Sequence, residues 1–65
     1  MKYKIEIWRN HWIVEIFESN SIKEVLKWYK KEWQHTYDMG ACTFYLYKYD
    51  KELSFSEKEN FGFYD

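Results

Sequence analysis

Proline is absent from the 65-residue chain, glycine occurs twice and cysteine once. A single thiol, Cys42, excludes an intramolecular disulfide. Soft metal ligands are equally scarce. His11, His35 and Cys42 share no short repeat spacing, so neither a metal site nor a cofactor is expected. No apolar run approaches the roughly 18 residues of a membrane span, and no leader or lipid-anchor motif is read. These absences give the expectation of a reducing, cytoplasmic setting without membrane contact. Also missing are a phosphate loop, a glycine-rich nucleophile elbow and a carboxylate pair at a strand end, so no enzyme is expected. Nor is there an excess of positive charge. Ten Lys and Arg face eleven Asp and Glu, for a net charge of −1, which argues against a bulk electrostatic binder of duplex DNA.

Aromatic residues are what the chain has in abundance: four Trp, seven Tyr and five Phe. A single domain of this size buries only about 60% of its unfolded surface, and one small core cannot take up so many rings. Some of them are therefore expected on a surface, where aromatic side chains commonly bind something. Lys, Ile, Tyr, Phe and Asn, all with AT-rich codons, are frequent. That composition points to an AT-rich bacterium or one of its phages.

Two segments alternate as strands do. Residues 3–8 have period two, and residues 12–18 repeat it less cleanly. Asn10, between them, tolerates the left-handed backbone of a tight hairpin. Pairing Ile7 with Val14 and Ile5 with Ile16 would gather four aliphatic side chains on one face. Ser21 and Glu24 then have the spacing of a capping box. Ile22, Val25, Leu26, Tyr29, Trp33 and Tyr37 follow as one apolar helical stripe, with Gly40 as its left-handed cap. Trp28 falls on a flank with Glu24, Glu32 and His35. Residues 41–50 read as a third strand, 50–52 as a polar turn and 53–55 as a short fourth strand. Ser56 to Glu59 could open a further helical turn. The aromatic tail, 57–65, is expected either to fold back or to stay loosely ordered.

The expected fold class is α+β: one ββαβ(β) domain over 1–65, with strand order 2-1-3-4 and a helix on one face of a small antiparallel sheet. Its other face should carry Trp8, Ile13, Phe17, Tyr45, Tyr47 and Tyr49, with Lys2 and Lys4 nearby. Arg9 and Trp12 would stand at the hairpin tip. Such a face could dock a protein, since Tyr, Trp and Arg dominate binding hot spots, or stack unpaired bases. The plainer reading is that the tail or a second subunit covers it. A stripe of Lys23, Lys27, Lys30 and Lys31 is read first as a solvated helix face and second as an alternative contact for phosphates or an acidic protein. His35, Asp38 and Cys42 form the only cluster that could be read as catalytic, but Cys42 falls on the core face, where thiols are inert.

These features lead to a non-catalytic protein-binding module, phage or mobile-element encoded, that inhibits a host protein such as a polymerase, nuclease or defence factor by occupying its surface. The partner-binding residues would be Trp8, Arg9, Trp12, Phe17, Tyr45, Tyr47 and Tyr49. Two other readings stand beside it. One is a single-stranded nucleic-acid binder; the other is a homodimeric structural protein.

Overall fold

A computed structural model describes residues 1–36 and 42–64, with the side chains of 33–36 left aside. Six elements follow in order: β1 Tyr3–Arg9, β2 Trp12–Ser19, α1 Ile22–Thr36, β3 Cys42–Lys48, β4 Lys51–Glu52 and α2 Phe55–Asn60. The strands form one antiparallel sheet in the order β2-β1-β3-β4. The fold is therefore the small α+β arrangement expected, with both helices on one side of the sheet. Tyr37, Asp38, Gly40 and the side chains of Trp33 and His35 lie outside what is described, so the role expected of each is not placed.

The hairpin register differs from expectation. Ile5 pairs with Phe17 and Ile7 with Glu15, after which the register shifts so that Trp8 pairs with Ile13. Val14 is the extra residue of a β-bulge. In a strand of period two, a one-residue slip reverses every side chain. Phe17 therefore turns toward α1, while Val14 and Ile16, expected in the core, are exposed. Phe17 stacks on Trp28 with ring centroids 5.1 Å apart and planes 10° apart. Phe17 thus leaves the open face, and Trp28 becomes a packing residue instead of a flanking one.

α1 begins where expected. The Glu24 amide donates to Ser21 Oγ at 3.4 Å, and the Ser21 amide is held by Ser19 Oγ at 3.1 Å. Val25 and Tyr29 bury their side chains against Ile5, Ile7, Phe44 and Leu46.

The second half differs more. Tyr49 and Asp50 form a two-residue hairpin at φ 50° and 66°, both in the left-handed region, as a type I′ turn requires. Tyr49 is thus a turn residue and β3 ends before it. The short fourth strand is Lys51–Glu52, not 53–55, although Leu53 still donates to the Leu46 carbonyl at 2.8 Å. The later helical turn starts at Ser54, not Ser56. Ser54 Oγ accepts from the Glu57 amide and the Glu57 carboxylate accepts from the Ser54 amide, a complete capping box.

Beyond α2 the chain folds back. Phe63, 3% exposed, sits with its ring centroid 5.2 Å from Tyr29 and 5.8 Å from Phe44. Phe61 packs edge-on against Tyr3. Tyr64 stacks on Phe55, and Lys58 lies over the Phe44 ring. α1 covers β1 and β2, and the tail covers the β3 side of the same face.

Candidate functional site

The face opposite the helices is built from three cross-strand rows. Glu18, Lys4, Tyr47 and Glu52 make the first; Ile16, Glu6 and Tyr45 the second; Ile13, Trp8 and Thr43 the third. The described tail packs on the other side of the sheet, so it does not cover these rows.

At the centre is Glu6, only 9% exposed although it faces away from the core. Its neighbours bury it. The Trp8 indole Nε1 donates to Glu6 Oε1 at 3.1 Å, and Lys4 Nζ pairs with Oε2 at 3.3 Å. The Tyr47 phenol lies beside the same carboxylate. Partial burial, then the carboxylates of Glu6 and Glu52, raise the phenol pKa of Tyr47 above its ordinary value. Lys4 also lies 4.9 Å above the Tyr47 ring, and Trp8 meets Tyr45 edge-to-face at 6.0 Å. One carboxylate thus holds the Trp8 indole and Lys4, and Lys4 in turn lies over the Tyr47 ring. An ordered aromatic surface loses less entropy on binding than a mobile one.

The strand residues on this face carry three carboxylates and one ammonium: Glu6, Glu18 and Glu52 against Lys4. A phosphate backbone meets repulsion there. Basic charge lies elsewhere, on α1, where Lys23, Lys27 and Lys31 are exposed and Lys30 half-buried. At the hairpin tip Arg9 is exposed and Trp12 is 74% exposed. Asn10 turns the chain there at φ 58°.

Trp8, Tyr45 and Tyr47 are therefore brought together on the open face, whereas Arg9 and Trp12, paired at the hairpin tip, fall by strand alternation on the helix side. Phe17 is turned away to α1, and Tyr49, though exposed, belongs to the β3–β4 turn. Glu6, Ile16, Glu18 and Glu52 complete the face and were not foreseen as part of its site. Among the described residues no pocket and no metal-holding group of His, Cys, Asp and Glu occurs, and no helix is long and apolar enough to cross a membrane. Cys42 is half-buried against the core. Comparison with protein-family models, with curated proteins and with solved structures finds no match to this chain.

Proposed function

We propose that the chain is a non-catalytic protein-binding module whose contact surface is the open sheet face around Glu6. The observation that carries this reading is the combination of ordered aromatic side chains with a carboxylate excess: Trp8, Tyr45 and Tyr47 gathered around Glu6, with Glu18 and Glu52 at the margins. Aromatic anchors within a polar rim are the anatomy of a protein-binding patch. The acid excess favours a partner surface that offers Lys or Arg. It also weighs against the reading in which this face stacks single-stranded nucleic acid, since such sites combine stacking with positive charge. Within this class we place the inhibitor of a host polymerase, nuclease or defence factor, encoded by a phage or mobile element. That finer proposal is supported by composition alone.

The test is affinity capture from a bacterial lysate in parallel with oligonucleotide titration. Wild type and a Lys27→Glu/Lys31→Glu variant should retain the same protein, and Tyr45→Ala/Tyr47→Ala should lose it. Salt-sensitive quenching of Trp fluorescence by an oligonucleotide, or loss of the captured protein only in the lysine variant, would overturn the reading.

A further inference from the structure

β2 is the longer edge strand of the sheet. Edges are blunted by shortness, Pro, Lys and other charges, or a β-bulge, and of these β2 has the bulge at Val14 and two glutamates. The opposite edge, β4, is two residues long and consists of Lys51 and Glu52. β2 runs for eight residues, contains neither Pro nor Lys, and has no further strand on its outer side among the described residues. Four of its apolar residues, Trp12, Ile13, Val14 and Ile16, are exposed.

The bulge gives this edge a particular symmetry. Without it, Ile13 and Ile16 would point to opposite faces. Because Val14 is the extra residue, Ile13 shares the open face with Ile16, opposite Trp8 and Glu6 respectively, and Trp12 shares the helix-side face with Phe17, opposite Arg9 and Ile5. Consider a second copy laid antiparallel along the edge with its two-fold axis between Val14 and Glu15. Ile13 then faces Ile16 of the other copy, Trp12 faces Phe17, and Val14 faces Glu15. Each pair comes from the same side of the sheet. Among two-fold registers engaging six or more β2 residues, this one alone matches sides throughout. It also carries Glu18 toward His11 of the other copy.

We infer that the chain forms a homodimer by antiparallel pairing of β2 with β2, giving one continuous eight-stranded sheet. The axis is perpendicular to the sheet, so both Glu6-centred faces lie on the same side. Backbone hydrogen bonds supply the pairing, and the apolar cross-strand pairs fix its register. A 65-residue chain with a single cysteine, and so no internal disulfide, gains from such a partner the buried surface its own core lacks. The one unfavourable juxtaposition is Glu15 with its copy, side by side at the axis.

The inference does not rest on the partner-binding reading. A monomer that still binds a protein through Tyr45 and Tyr47 overturns the dimer alone. The test is sedimentation equilibrium at tens of micromolar, with twice the 8.3 kDa chain mass expected. Ile16→Lys changes an exposed side chain, so it should melt as the wild-type monomer does while raising the dimer dissociation constant by at least about tenfold. Register is read by cysteine cross-linking in a Cys42→Ser background. A mixture of Ile13→Cys and Ile16→Cys chains should cross-link under mild oxidation, and neither should do so alone. A monomer at all concentrations, a dimer indifferent to Ile16→Lys, or cross-links in the unmixed chains would overturn the proposal.

Discussion

A carboxylate placed between an indole N–H and an ammonium, with a phenol beside it, holds two side chains at once, and Glu6 is in that position. Removing it leaves those donors without their shared acceptor. Glu6→Ala should therefore lower stability by about 1–3 kcal/mol in chemical denaturation, and Glu6→Gln, which keeps an acceptor for Trp8, by less. Equal stability of Glu6→Ala and wild type would mean that the network contributes nothing to the fold. On the other side of the sheet Tyr29 supplies a titration. Burial, reinforced by Tyr64, pushes its phenol from 10.0 up to about 12. The folded state favours the neutral phenol, so the associated stability is complete below pH 10.0 and is lost as pH rises toward about 12. Wild type should lose stability across that window more steeply than Tyr29→Phe. Parallel pH curves would contradict the assignment.

Among the elements, β2 best shows where sequence reading succeeds and fails. The first three strands, the strand order and the start of α1 were legible, because alternation and the Ser21 cap are local signals. The register was not. Ile13, Val14, Ile16 and Phe17 offer apolar residues to either face, and only the bulge at Val14 decides between them. Phe17→Ala should accordingly cost roughly 2–3 kcal/mol, since it removes the ring stacked on Trp28, whereas Ile16→Ala should cost little in the monomer. The reverse ranking would restore the unbulged register. α2 shows a related ambiguity. Ser54 and Ser56 each precede a glutamate at capping-box spacing, and the first forms the cap, directly after the buried Leu53. Ser54→Ala should cost about 1 kcal/mol and Ser56→Ala only a few tenths. The β3–β4 turn was missed because Tyr49 and Asp50 lack the Asn-Gly signature of left-handed pairs. Glu6 was missed because a carboxylate on an open face reads as solvated, and only its neighbours' geometry shows it to be enclosed.

For the molecule as a whole, the aromatic excess divides by location. Tyr29, Phe44 and Phe63 form a core in which the returning tail supplies a ring to the main sheet. Phe63→Ala should cost about 3–5 kcal/mol, a large share of a small domain's total stability, and should abolish a cooperative thermal transition at moderate temperature. Trp8, Tyr45 and Tyr47 make the opposite surface, acidic at its margins, while the lysines of α1 leave the far side basic. The two faces therefore suit different partners, and the ordered one is the sheet. The most direct measurement is the affinity of the captured protein for wild type and for folded Tyr47→Ala. If the open face is the contact surface, loss of this anchor should weaken binding by about 2 kcal/mol, or about 30-fold, while Lys27→Glu leaves it nearly unchanged. Undiminished binding by Tyr47→Ala, with loss in Lys27→Glu, would contradict the account and move the contact surface to α1.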